Sequence, residues 1–295
     1  MACRNEVECY EVIQDIKSSF FPIIVTSDKP HLVGNDCGEL IYKHLDLSSF
    51  DSVRSFVEQI TSEESQIHIL INNAAVYAEP LQITKDGFER NMQINHLSQA
   101  LLTLLLLPKL HQLKASENKE ISNDNQQKSL SNKIIFVTSG LYKKGKIFDA
   151  FFRRFNSNDQ MKISPNFASY SKNIYPNTKL ANLYFARELS LKGDLIKDVK
   201  VSVASPGFAL TRLHRNVSKS RLLLMSLLAP ILFPFLRSSR DGAQTIIGCA
   251  LMNDTKSDIF YRNCKSDLKL SFNGPYQGVD VYHQTMNSLN TYLDR

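Results

Sequence analysis

The run Lys-Ile-Ile-Phe-Val-Thr-Ser (133–139) places four apolar residues in a row. A strand with one wet face alternates apolar and polar residues. An unbroken apolar run predicts a strand at 133–138 covered on both faces, as in a parallel sheet flanked by helices. Leu40–Leu47, Ile67–Ile71, Val199–Ala204 and 258–263 read as further strands. Between them, helical spacing predicts helices over 6–18, from Ser48-Ser49-Phe50-Asp51 through 61, and over 86–113. Three more are predicted through about 192 and over 240–252 and 279–293. This alternation defines an α/β fold with a Rossmann-like, doubly wound parallel sheet. With no internal repeat, residues 1–295 form one domain. Irregular insertions fall near 19–39, 115–132 and 140–170, and an apolar lid near 208–237.

Composition narrows the function. The chain has 295 residues, 43% of them hydrophobic, enough for a sizeable core. Its net charge of +6 is dispersed, without the basic, aromatic-interleaved stripe of a nucleic-acid binder. Five irregularly spaced cysteines (3, 9, 37, 249 and 264) suit free thiols rather than disulfides or zinc, and the seven histidines show no metal-ligand spacing. The chain starts without an apolar leader segment. The apolar run Leu222–Leu236 is too short to span a bilayer, and suits a lid, a pocket wall or a peripheral membrane contact. The expected setting is the cytoplasm, or the cytoplasmic face of an intracellular membrane.

Tyr175 and Lys179 lie four residues apart, on one face of a predicted helix. A cation ~5 Å from a phenol is worth ~3 kcal/mol at an effective dielectric of about 20, roughly two pKa units. The spacing therefore predicts an accessible tyrosinate that exchanges protons with a carbonyl or hydroxyl oxygen. In an open α/β sheet, ligands bind beyond the carboxyl ends of the strands. Asp46, Asn72-Asn73-Ala74-Ala75, Ser139 and Pro206-Gly207 each follow a predicted strand, so all emerge at that edge.

Eight segments occur in one order: Ala-Cys-Arg-Asn (2–5), Leu-Asp-Leu-Ser-Ser (45–49), Asn-Asn-Ala (72–74), Ile-Asn-His-Leu (94–97), Val-Thr-Ser-Gly-Leu-Tyr (137–142), Tyr-x-x-x-Lys-Leu-Ala-Asn (175–182), Pro-Gly (206–207) and Gly-Ala-Gln-Thr (242–245). In that order the chain resembles the short-chain dehydrogenase/reductase superfamily, nearest its retinol dehydrogenase-like branch. The resemblance implies an NADP(H)-dependent oxidoreductase that interconverts a hydrophobic alcohol and its aldehyde or ketone. Tyr175 would transfer the proton, Lys179 would lower its pKa and hold the nicotinamide ribose, and Ser139 would polarise the substrate oxygen. Asn95 would anchor a proton-relay water. Asp46 would hydrogen-bond the adenine, Asn73 and Ala74 would pack against the adenosine ribose, Arg4 would pair with a 2′-phosphate, Thr211 would contact the nicotinamide, and Leu47, Pro206 and Gly207 would also bind the cofactor. Arg4, with no acid in its place, favours NADP(H) over NAD(H). The rival is a non-catalytic or truncated family member serving as a binding or scaffold protein.

The chain departs from the family in three places. Gly34-Asn-Asp-Cys-Gly38 is not the glycine turn that cradles a pyrophosphate, because no helix follows it. Aligned to the family, Met1 falls at the end of the second strand, so the first strand, glycine turn and first helix are expected to be missing. That predicts an N-terminally incomplete form of a longer dehydrogenase, with Met1 an internal methionine and a gap beside a normally central strand. Ala75 adds a methyl group beside the cofactor path, and Pro176, directly after Tyr175, predicts a late or kinked helix start.

Overall fold

The computed structural model describes residues 1–20, 39–77, 81–111, 131–155, 174–207, 238–252, 259–267 and 277–293. The chain opens with β1 (Ala2–Cys3), α1 (Glu6–Phe20), β2 (Lys43–His44), α2 (Phe50–Glu63) and β3 (Ile69–Asn72). A helical segment follows in three parts: α3 (Arg90–Met92), a π-turn (Gln93–Leu97) and α4 (Ser98–Leu110). Then come β4 (Asn132–Val137), α5 (Ile174–Ser190), β5 (Val199–Ser205), α6 (Ser239–Leu251), β6 (Ile259–Arg262), β7 (Lys265–Ser266) and α7 (Gly278–Leu293).

Five strands form one sheet in the order β3-β4-β5-β6-β7, parallel except for β7. All six residues of β4 are buried, which is why its apolar run does not alternate. Phe136 meets Phe185 of α5 edge-on, and Phe185 stacks on Tyr282 of α7 at 5.5 Å. Aromatic contacts thus join strand, helix and closing helix into the core.

β1 and β2 form a separate two-stranded sheet, pairing Ala2 with Lys43 and Cys3 with His44. No ladder joins them to β3 among the described residues. A cavity of about 1160 Å³ lies there, lined by Ala2 and Cys3 on one side and by Ile69, Leu70 and Ile71 on the other. The gap expected beside a central strand therefore takes the form of a slot between two strand edges. Phe56 and Ile60 of α2, with Leu102 and Leu106 of α4, contribute apolar walls to it.

Local chemistry explains several boundaries. Ser49 caps α2 by accepting from Ser52 N–H at 3.2 Å, and Phe50, Val53, Phe56 and Val57 form the buried stripe. β2 is shorter than the predicted strand 40–47 because its partner β1 offers only two residues. The predicted helix 86–113 begins later, because Asp86-Gly87-Phe88 turns the chain (Gly87 φ +89°) before Glu89 caps α3. Helix α5 starts at Ile174 and runs through Ser190. Pro176 thus falls in its first turn, where the missing N–H has no helical acceptor, and the expected late start is not found. Most of the insertions near 19–39 and 115–132, and all of the lid near 208–237, lie outside the described residues.

Candidate active site

Strand β4 delivers the first residue of the site. Ser139 follows Val137 and Thr138 and caps a short 3-10 turn, its hydroxyl accepting from Leu141 N–H at 3.3 Å. Thr138 reaches across instead, donating to the carbonyl of Lys179 at 3.0 Å. That bond sets the first turns of α5 against the end of β4. Gly145, where the 3-10 turn ends, lies so close to α5 that a Cβ there would stand 2.6 Å from the Pro176 carbonyl. Lys146 N–H donates to the Asn177 side chain at 2.7 Å, fixing the same junction.

Tyr175 and Lys179 both point inward, 7% and 1% exposed. Burial pushes the Tyr175 phenol up to about 12, partly countered by a hydrogen bond with Ser139 and reinforced slightly by the Tyr77 phenol. Tyr77 packs edge-on to Tyr175 with ring centroids 5.0 Å apart. The Lys179 ammonium donates to the Val137 carbonyl at 2.8 Å and lies 5.6 Å from the Tyr175 ring centroid. Burial lowers it to about 8. In the protein alone, burial raises the phenol and lowers the ammonium. Desolvation disfavours the charged form of each.

Asn95 sits in the π-turn, fully buried. Its side chain clamps Val76 from both sides, accepting from the N–H at 2.8 Å and donating to the carbonyl at 3.0 Å. It also donates to Thr178 Oγ1 at 3.2 Å. Its main-chain carbonyl accepts from Asn182 Nδ2 at 2.7 Å. Asn95 thus ties the loop after β3 to helix α5.

A second group gathers at the slot between β1 and β3. Arg4, Asp46, Leu47, Asn73 and Ala74 all line the one cavity, as does Ala75. Asp46 Oδ1 accepts from Ser48 N–H at 2.9 Å and Ser48 Oγ at 2.7 Å, which holds the turn after β2. Leu47 carbonyl accepts from Ser98 at 2.6 Å, and Ala74 carbonyl from Gln99 Nε2 at 2.6 Å. Pro206 and Gly207 end β5 beside Ser139, since Thr138 N–H donates to Ala204 carbonyl at 2.9 Å. Gly207 has φ +80°, a conformation that suits glycine. Thr211 lies outside the described residues.

The structure thus brings Ser139, Tyr175 and Lys179 together, groups Arg4, Asp46, Leu47, Asn73 and Ala74 at the slot, and links the two sets through Asn95 and Val76. Sequence reasoning missed Thr178, Asn182 and Tyr77. The first two were readable: with Tyr175 and Lys179 they occupy i, i+3, i+4 and i+7, a polar stripe down one helix face.

Strand-end residues on a parallel sheet, with Ser139 beside the buried Tyr175 and Lys179, are the arrangement of an α/β oxidoreductase of the nicotinamide-dependent class. The chain belongs to the short-chain dehydrogenase family, in its retinol dehydrogenase-like branch. The family model for short chain dehydrogenase matches residues 24–145. Human retinol dehydrogenase 14 is 32% identical over 272 residues, covering 90% of this chain and 71% of that protein. The mouse protein of that name is 35% identical, over 78% of this chain and 61% of its own length. Human retinol dehydrogenase 12 is 34% identical over 77% of this chain and 62% of its own. Salutaridine reductase from Papaver somniferum superposes with a TM-score of 0.52 at 15% identity, covering 88% of this chain and 89% of that one. The RhlG/NADP active-site complex of Pseudomonas aeruginosa gives 0.51 at 17% identity, covering 84% and 77%. These two structures attest the fold.

The residues present fit part of such a cofactor. Arg4, Asp46, Asn73 and Ala74 offer a charged and polar rim, with an apolar wall behind it, to an adenosine. For the pyrophosphate, no glycine-rich turn opens a helix at this cavity among the described residues.

Proposed function

We propose that the chain acts on a hydrophobic alcohol–carbonyl pair, with Tyr175 as the proton-transfer residue and NADP(H) favoured over NAD(H). The observation that carries this reading is the convergence of Ser139, Tyr175 and Lys179 at the end of β4. The nicotinamide, when bound, supplies or takes the hydride. Ser139 holds the substrate oxygen. Tyr175 gives a proton to that oxygen in carbonyl reduction and removes it in alcohol oxidation. A phenol raised to about 12 is protonated at neutral pH, the form that donates a proton in carbonyl reduction. Lys179, at about 8, is still largely cationic at pH 7 and can re-supply the proton. Asn95 would anchor the relay water. Arg4 would meet the 2′-phosphate; Asp46, Leu47, Asn73 and Ala74 the adenosine; Pro206, Gly207 and Thr211 the nicotinamide.

The retinol dehydrogenases among its relatives support a retinoid-like substrate. An apolar segment at 222–236 would suit such a substrate as a pocket wall, and would also serve as a peripheral membrane contact. None of the described helices is long and apolar enough to cross a membrane.

The test is NADPH consumption by the purified chain with a hydrophobic aldehyde. Tyr175→Phe should cost roughly 10²-fold or more in kcat, the scale of a lost general acid. Equal turnover by mutant and parent would refute the role given to Tyr175.

A further inference from the structure

The π-turn Gln93–Leu97 separates α3 from α4. Its wider spacing brings Ser98 N–H to the Gln93 carbonyl, and such turns often mark functional sites. Two carbonyls of the turn are taken by side-chain amides. Gln99 Nε2 donates to Ile94 at 3.2 Å, and Asn182 Nδ2 to Asn95 at 2.7 Å. Each amide has a second attachment. Gln99 also holds Ala74 at the cavity rim. Asn182 Oδ1 lies 2.8 Å from His96 Nδ1, and His96 Nε2 lies 2.8 Å from Thr285 Oγ1 on α7. His96, Asn182 and Thr285 are all 0% exposed. Two rings, Phe152 and Phe185, flank the imidazole edge-on.

Three buried polar side chains on three helical elements are costly unless every bond is made. Here the bonds form one line that ends on the main chain of Asn95. With Asn182 Oδ1 facing the ring, Nδ1–H donates to Asn182, and Nε2 accepts from the Thr285 hydroxyl, whose single proton is shared with the Val281 carbonyl of its own helix at 2.7 Å. That polarity fixes which way the Asn182 amide faces, and so presents its NH₂ group to the Asn95 carbonyl.

We propose that His96 and Thr285 are positioning residues for the proton-transfer site. They orient Asn182, which pins the π-turn and so sets the Asn95 amide on Val76 and Thr178. The closing helix α7 is then part of the site's alignment although none of its residues reaches the reacting atoms. The proposal rests on the function proposed above in giving Asn95 a part in turnover.

The experiment uses the full chain with Thr285→Val, which removes the hydroxyl and keeps the shape. Two readings are taken: steady-state kinetics with NADPH and a hydrophobic aldehyde, and hydrogen exchange of the Val76 amide in the free protein. The loss of one buried hydrogen bond predicts about a tenfold fall in kcat with KM nearly unchanged, and about tenfold faster exchange at Val76. Thr285→Ser should restore both. If Thr285→Val does not fold, His96→Asn takes its place with the same readings. A lowered melting temperature with parental kcat and parental Val76 exchange would overturn the proposal, as would failure of Thr285→Ser to restore them. Exchange needs no turnover. An inactive parent would therefore count against the proposed function, while Val76 exchange would still decide the positioning claim.

Discussion

On one side of the slot between β1 and β3, the sheet β3–β7 carries Ser139, Tyr175 and Lys179, wrapped by α4, α5 and α7. On the other, β1 and β2 pair over two residues each and present Arg4 and Asp46. The proton-transfer side is over-determined. Tyr175 and Lys179 are held by β4, the 3-10 turn and the π-turn at once. The other side has fewer ties: the local turn of Asp46 with Ser48, and single bonds from Ser98 to Leu47 and from Gln99 to Ala74. The contrast has a chemical meaning. Proton transfer needs placement within tenths of an ångström, and buried hydrogen bonds supply it. Adenosine binding tolerates looser walls and draws on area and charge.

Truncation should expose this contrast most strongly. Phe136 is fully buried in β4, so Phe136→Ala should cost ~3–5 kcal/mol through lost contact and a new cavity. Ile71, in the neighbouring strand, is 43% exposed at the slot. Ile71→Ala should cost less than about 1 kcal/mol, because little packing exists there to lose. Urea denaturation of the two variants reads the difference. Equal costs would mean that both sides of the slot are packed alike.

Acid should strike the same dense side next. Burial lowers His96 from 6.5 to about 4, and its hydrogen-bond and ring partners Asn182, Thr285, Phe152 and Phe185 are all uncharged. The unfolded chain takes up the proton below about 6.5, whereas the folded chain does so only below about 4. Stability should therefore fall as pH drops through that window, by up to ~3 kcal/mol. Melting curves at pH 7 and pH 4.5 check the sign. A His96→Gln variant should lose that part of the slope; an unchanged slope would place the acid sensitivity elsewhere.

How far these features were legible in the sequence follows from which forces set them. Helices α2, α5 and α7 repeat their apolar residues at helical spacing, and β4 is an unbroken apolar run, so local pattern located them. The π-turn left no such trace. It exists because Gln99 and Asn182, one local and one 87 residues from Asn95, cap its carbonyls, and propensity does not encode tertiary caps. Tyr175 and Lys179 were found by spacing, but spacing is silent about solvent. Burial, which raises the phenol and lowers the ammonium, has no signature in that spacing. The polar stripe Thr178–Asn182 was in plain sight and needed only the question of what a buried face would do with it.

Gly145 gives a smaller test of how tightly the dense side is built. Its φ of −70° suits any residue, so strain is not the issue. An alanine methyl would meet Pro176 carbonyl at 2.6 Å and Leu180 Cβ at 2.9 Å, and backbone cannot yield as a side-chain tip can. Gly145→Ala should destabilise by ~1–3 kcal/mol, read by thermal melting. A neutral result would show that α5 can move outward without cost, and the placement argument for Tyr175 would weaken.

The smallest effect belongs to the loose side. Arg4 is exposed at the cavity, next to the turn that carries Asp46. A charge-assisted hydrogen bond to a phosphate is worth ~1.5–3 kcal/mol, and exposure puts this one at the low end. Arg4→Ala should therefore weaken NADPH binding about tenfold and leave NADH binding nearly unchanged, as titration of each cofactor would show. Added salt should shrink the difference, because an exposed pair is screened. If both cofactors weaken together, Arg4 supports the cavity wall rather than a 2′-phosphate. The cofactor side would then discriminate by shape, as the proton-transfer side does, and the contrast between the two sides would lose its electrostatic half.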